Sequence, residues 1–199
     1  MNNYVISSLD VNGISDEMLK NHFAVMDEQK KSEILSLPSD VKKKQKIAAD
    51  MLCRSMISEK CGIAPECIVF AKSENGKPYA VNANVFFSIS HSADTVVCAV
   101  SEKEIGIDIE KTRNIRLRVA EKFATEAEIG YIGEDIDRFF EIWTLKEAFF
   151  KCKGTGLGSD IKSVCFEITE GIVSCSDNGY SLFFEKITDG YTCSVCIKK

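Results

Sequence analysis

Apolar residues recur along this chain in two rhythms, one helical and one strand-like. Residues 4–9 make a short β-like run. Ser15 offers an N-cap for a short helix through about Val25. Ser39 or Asp40 can cap a stronger helix, in which Val41, Ile47, Ala48, Met51, Leu52 and Met56 follow near helical spacing until Gly62 and Pro65 stop it. Residues 68–71, 85–89, 95–100 and 105–109 read as strands. Residues 74–78 read as a turn, and Ser90-His91-Ser92 as the bend between two of the strands. The second half repeats this order. Thr125-Glu126-Ala127-Glu128 has the form of a capping box, residues 135–152 form a long helix, and Gly154 and Gly156 end it. Residues 164–168, 172–175, 181–185 and 191–197 are expected strands. Each half therefore reads as one long helix plus several strands. The polar break near residues 101–104 divides the chain into halves 1–102 and 103–199.

The 199 residues, 45% hydrophobic and 28% charged, are enough to bury a core without staples. Nine cysteines, an odd number, argue against a disulfide framework. Cys53, Cys98, Cys193 and Cys196 sit in apolar runs, where a free thiol packs as a small hydrophobe. With only two histidines, a His/Cys zinc cage is poorly supplied. Residues 1–10 lack a basic segment followed by a long apolar one, and no run approaches the roughly 20 apolar residues of a membrane span. No export signal, no membrane and a cytoplasmic location are expected. A net charge of −5 argues against nucleic-acid binding but leaves room for a local basic patch that meets an anionic ligand.

Three segments carry candidate chemistry. In Gly106-Ile107-Asp108-Ile109-Glu110, strand alternation turns Asp108 and Glu110 to one side and the isoleucines to the other. Paired carboxylates repel unless a cation sits between them, and magnesium prefers such oxygen ligands. The same pattern also suits a solvated edge strand. In the long helix, Trp143-Thr144-Leu145-Lys146-Glu147-Ala148-Phe149-Phe150-Lys151 is apolar on most faces, as a buried helix is. Glu147 and Lys151 are four apart, either an ion pair or a carboxylate for metal and a cation for an anion. Phe86-Phe87-Ser88-Ile89-Ser90-His91-Ser92 offers hydroxyls and an imidazole suited to phosphate oxygens. A serine hydrolase is disfavoured, because no G-x-S-x-G elbow and no partner acid accompany His91. Lys30, Lys31, a lysine run from Lys42 to Lys46, and Lys77 add positive charge to the first half.

Taken in order, Gly76-Lys77-Pro78, Phe87-Ser88-Ile89-Ser90-His91-Ser92, Gly106-Ile107-Asp108-Ile109-Glu110 and the stretch from Trp143 through Lys146-Glu147-Ala148 and Lys151 to Gly154-Thr155-Gly156-Leu157 resemble the 4′-phosphopantetheinyl transferase superfamily, in its larger, surfactin-synthetase-activating branch. The resemblance implies an α+β fold with a pseudo-twofold duplication. Its two similar halves would each pack a long helix on a small, mainly antiparallel sheet, with the active site between them. It implies magnesium as cofactor, coenzyme A as co-substrate and an apo acyl or peptidyl carrier protein as partner, with a monomer sufficient. By resemblance, Asp108, Glu110 and Glu147 are metal carboxylates, and Lys151 lies beside the diphosphate. Ser90 and His91 contact phosphate, Lys77 meets the nucleotide end, and Lys30, Lys31 and Lys46 are candidates for the 3′-phosphate. Glu147 is also the expected base for the carrier serine. Arg113, Arg116, Arg118, Leu117, Val119 and Phe123, just after the metal strand, are expected to dock the acidic carrier. A non-catalytic binding relic and a magnesium-dependent diphosphate hydrolase remain alternatives.

Overall fold

The computed structural model describes residues 4–158 and 160–199. The first three positions of the segment read for a leader lie outside them. In the first half, β1 (Tyr4–Asp10) is followed by α1 (Asp16–Val25), α2 (Glu28–Leu35) and α3 (Asp40–Cys61), then β2 (Phe70–Lys72), β3 (Pro78–Ala80), β4 (Phe86–Ser92) and β5 (Thr95–Ser101). The second half contains β6 (Ile105–Lys111), α4 (Glu126–Ile132), α5 (Ile136–Lys153), β7 (Phe166–Thr169), β8 (Ile172–Cys175), β9 (Tyr180–Phe184) and β10 (Tyr191–Lys198). Each half builds an antiparallel sheet on one plan. The first strand pairs with the last, which also pairs with the strand before it, giving β1-β5-β4 and β6-β10-β9. A long helix covers one face of each sheet, α3 on the first and α5 on the second. The architecture is α+β in two similar halves. No helix among the described residues is long and apolar enough to cross a membrane.

The other faces of the two sheets meet. Along β5, Val96, Cys98 and Val100 turn to α3, while Val97 and Ala99 turn to Ile105, Ile107 and Ile109 of β6 and Cys193 and Val195 of β10. All of β5 is buried, which is why its sequence is a continuous apolar run instead of an alternating one. The approach of α5 to β6 depends on Gly106, where a Cβ would lie 2.0 Å from Ala148 O and 2.4 Å from Cys152 N. The pairing of β6 with the catalytic-looking helix thus requires a residue without a side chain.

Three sequence expectations shift. Ser90-His91-Ser92 is not a bend. β4 runs through it, and the reversal is a two-residue turn at Ala93-Asp94, with Ala93 at φ 49°. That left-handed residue is held from outside, because Gln45 Nε2 donates to Ala93 O and Val11 N–H donates to Asp94 O at 2.8 Å. Residues 28–35 form α2, a helix not anticipated, capped by Asp27, whose carboxylate accepts from Lys30 N–H at 2.8 Å. The turn expected at 74–78 is shorter, since Pro78 already begins β3.

Candidate functional site

β6 pairs with β10 along one edge only, and its other edge lies against β4 of the first half. Backbone groups on such an edge need partners once buried. Here side chains supply them. Ile107 N–H donates to Ser88 Oγ at 3.1 Å and Lys111 N–H to Ser92 Oγ at 3.1 Å. Lys77 Nζ donates to Ile105 O at 3.2 Å, and Lys151 Nζ to Ile107 O at 3.2 Å. Ser88, Ser90 and Ser92 share one face of β4 by strand alternation. The last two also hold the carboxylates: Ser90 Oγ donates to Asp108 Oδ1 at 2.7 Å and Ser92 Oγ to Glu110 Oε2 at 2.8 Å.

Asp108 and Glu110 therefore point together, as alternation predicts, but their surroundings differ. Asp108 is 5% exposed. Its Oδ1 takes the Ser90 hydroxyl and Lys151 Nζ at 2.6 Å, while its Oδ2 is buried without a hydrogen-bond partner. Burial pushes its carboxyl up against the pull of Lys151 and Ser90. Glu147, one turn before Lys151 on α5, has no hydrogen bond or ion pair among the described residues; burial, then the charges of Asp108 and Glu110, push it up to about 7. Glu110 is tied to Ser92 and to Arg113 Nη1 at 2.8 Å. Among the described residues, no group of three His, Cys, Asp or Glu side chains stands arranged to hold a metal ion. The donor set is nonetheless one of hard oxygens, with an orphaned buried oxygen on Asp108 and a Glu147 carboxyl that burial and like charge keep from ionising easily. Both are conditions a divalent cation relieves.

Asp108, Glu147, Lys151, Ser90 and His91 line a cleft of about 1020 Å³ built from residues of both halves, while Glu110 is not among its lining residues. Burial, then Lys46 and Lys151, pull the His91 imidazole below its ordinary value, favouring its neutral form. The first-half lysines fare unequally. Lys46 lines the cleft and makes no ion pair among the described residues. Burial lowers its pKa, and repulsion from Lys30, Lys151 and Lys72 lowers it further, the mark of a locally positive pocket. Lys30 also lines the cleft, but its ammonium rests on Asp50, 4.7 Å from the centre of the Phe70 ring. Lys31 does not reach the cleft. It pairs with Glu28 at 2.8 Å on another side of α2. Lys77 lines the cleft, and its ammonium bonds Ile105 O and, at 3.0 Å, Cys152 O, so it ties β6 to the end of α5.

Sequence reasoning missed Lys72, a cleft residue paired with Glu33 at 2.8 Å. It also missed Asp50, where burial pushes the carboxyl up but His22, Lys30 and Arg54 hold it well below its ordinary range. Arg54 donates to Asp50 at 2.8 Å and to the carbonyls of Pro65 and Ile68, and so braces the cleft wall. Of the expected docking residues, Arg116, Arg118 and Val119 are exposed. Phe123 is not. It is 3% exposed and stacks edge-on against Phe139 and Trp143. Arg113 turns back over Phe140.

Comparison with known proteins covers both halves. The family model of the 4′-phosphopantetheinyl transferase superfamily matches residues 104–196, and one described as 4′-phosphopantetheinyl transferase, N-terminal, matches residues 14–103. The 4′-phosphopantetheinyl transferase Sfp of Bacillus subtilis (strain 168) is 34% identical over 161 residues, which span 75% of this chain and 72% of that protein. The 4′-phosphopantetheinyl transferase gsp of Aneurinibacillus migulanus is 32% identical over 159 residues, 75% of this chain and 67% of its own. The solved structure of Helicobacter pylori holo-[acyl-carrier-protein] synthase in complex with coenzyme A overlays on 48% of this chain and 99% of that one, at 17% identity and a TM-score of 0.40.

Proposed function

The chain belongs to the 4′-phosphopantetheinyl transferase superfamily, and from that premise we propose that it moves the phosphopantetheine arm of coenzyme A onto a serine hydroxyl of an apo acyl or peptidyl carrier protein, with magnesium as cofactor and 3′,5′-ADP as the second product. The observation that carries the reading is the grouping of Asp108, with its unpaired buried oxygen, Glu147 and Lys151 in one cleft with Lys46, a lysine crowded by other lysines. That arrangement suits a long ligand with a diphosphate at its middle and a further phosphate beyond.

Asp108, Glu110 and Glu147 would hold the magnesium, which when bound neutralises diphosphate charge and polarises the phosphorus under attack. The rest falls to the chain's own side chains. Lys46, a cleft lysine with neither hydrogen bond nor ion pair among the described residues, receives the terminal phosphate, joined by Lys30 once it leaves Asp50. His91, kept neutral by burial and neighbouring lysines, offers one N–H to a phosphate oxygen without repelling them. Lys151 places positive charge where negative charge develops. Glu147 takes the proton of the incoming serine. A serine O–P bond forms and the P–O bond to 3′,5′-ADP breaks; the proton passes to Glu147. Catalysis of this kind consists mainly of positioning and charge stabilisation. Exposed Arg116, Arg118 and Val119 provide a basic and apolar surface for the acidic carrier. Both halves lie in one chain, so a monomer suffices.

The test is mass spectrometry of an apo carrier incubated with the protein, coenzyme A and magnesium. Addition of one phosphopantetheine to the carrier serine is expected, and Asp108→Ala and Glu147→Gln should abolish it while remaining folded. Release of 3′,5′-ADP with the carrier unmodified would identify a diphosphate hydrolase, and no reaction at all would leave a binding relic.

A further inference from the structure

The three serines of β4 do unequal work across the seam. Ser88 Oγ accepts Ile107 N–H and touches no carboxylate. Ser90 Oγ accepts Lys151 Nζ at 3.0 Å and donates to Asp108. Ser92 Oγ accepts Lys111 N–H and donates to Glu110. A hydroxyl has one proton. When a neighbouring N–H occupies its lone pair, that proton is directed away from the N–H, and in both Ser90 and Ser92 it goes to an acid on β6. Each of the two β6 carboxylates is thus held from the opposite half of the molecule.

Glu110 depends on this most. Its Oε2 takes both the Ser92 hydroxyl and Arg113 Nη1 at 2.8 Å, and its Oε1 makes no hydrogen bond among the described residues. Arg113 sits three residues along the same chain with its side chain 56% exposed, and an exposed ion pair of this kind holds a carboxylate loosely. Ser92 belongs to a rigid strand registered against β5 through Thr95. Without its hydroxyl, Glu110 answers to Arg113 alone and is drawn toward the surface.

We propose that Ser92 is a positioning residue that fixes Glu110 from across the seam, so that its free oxygen serves the divalent cation of the transfer reaction. This rests on the metal-dependent reading above. Groups that hydrogen-bond a metal carboxylate from behind commonly change metal affinity by about 10- to 100-fold.

Manganese binding in the presence of coenzyme A, followed by the electron paramagnetic resonance of the free ion, tests the idea without relying on turnover. Ser92→Ala should bind manganese roughly 10-fold or more weakly, with coenzyme A affinity in the absence of metal unchanged. Ser92→Thr, which keeps the hydroxyl, should restore manganese binding. Ser88→Ala, which loses a seam bond but no carboxylate contact, should lower the melting temperature about as much as Ser92→Ala yet bind manganese as the wild type does. Wild-type affinity in Ser92→Ala, or equal weakening in Ser88→Ala, overturns the positioning role and leaves the transferase reading standing. A wild-type protein that binds no manganese with coenzyme A present overturns both.

Discussion

Replacing Glu147 by Gln should make the metal-free protein more stable above about pH 4.5, with the full gain reached above about pH 7. The side chain titrates near 7 in the fold against an ordinary value of 4.5. A carboxyl raised on folding favours the protonated protein. Its contribution is therefore intact below about pH 4.5 and is lost as pH rises through 7. Each pKa unit corresponds to about 1.4 kcal/mol, so the penalty at pH 8 has an upper bound of about 3 kcal/mol. Glu147 is half-buried at the cleft surface, which reduces the expected figure to about 1 to 2 kcal/mol. Gln mimics the protonated acid and also removes a charge beside Asp108, whose carboxyl burial already pushes up. The sign is the same for both groups. Urea unfolding in chelator at pH 5 and pH 8 is the assay. Wild type should lose stability between the two, and Glu147→Gln should lose much less. Adding magnesium and coenzyme A should raise the wild type at pH 8 more than the variant. Parallel stability curves for the two proteins from pH 5 to 8 would refute the electrostatic account of the site.

Other substitutions separate structural roles from binding roles. Gly106→Ala forces a Cβ into Ala148 O and Cys152 N, so α5 must lift from β6; a loss of about 3 kcal/mol by urea unfolding is expected, together with loss of transfer. Lys77→Met should cost about 1 to 3 kcal/mol by stranding the carbonyls of Ile105 and Cys152, and coenzyme A affinity should change less than tenfold; a stable variant with much weaker binding would restore the nucleotide contact to Lys77. Reversing the charge of Arg116 and Arg118 together should raise the carrier KM severalfold and leave the coenzyme A KM unaltered, as steady-state kinetics would report.

Local signals carried the sequence reading where one element decided a residue's fate. The alternation of Asp108 and Glu110 with three isoleucines, and the apolar faces of α5, are imposed by strand and helix periods alone, and both appear in the fold. Failures came where a partner far along the chain decides. Ser90-His91-Ser92 looked like a bend because edge-strand residues that face another strand's free edge are polar, as loop residues are. Lys30 and Lys31 were read together, but helical neighbours diverge by about 100°. α2 betrays itself poorly, because only Ile34 of its eight residues is buried. Lys77 was placed at a nucleotide by resemblance alone, and its carbonyl partners, 28 and 75 residues away, leave no local signal.

The free edge of β6 links these successes and failures. A duplicated fold that joins two sheets face to face leaves each with unpaired strand edges at the seam. Closing that seam with backbone ladders would have excluded side chains from it. Serines and lysines close it instead: Ser88, Ser92, Lys77 and Lys151 take the backbone groups, and Ser90, Ser92 and Lys151 also hold acids. The groups that bind the halves together are thus in part the groups that present charge to the cleft. Lys151 shows the conflict most directly. It sits on Asp108 and Ser90, and in the proposed reaction a diphosphate would draw it away. Asp108 would then keep the Ser90 hydroxyl on Oδ1 and nothing on Oδ2, a buried carboxylate whose charge the proposed cation would match in place of the lysine. In the proposed reaction, cation and diphosphate therefore strengthen each other's binding, because the cation matches the carboxylate that the lysine leaves.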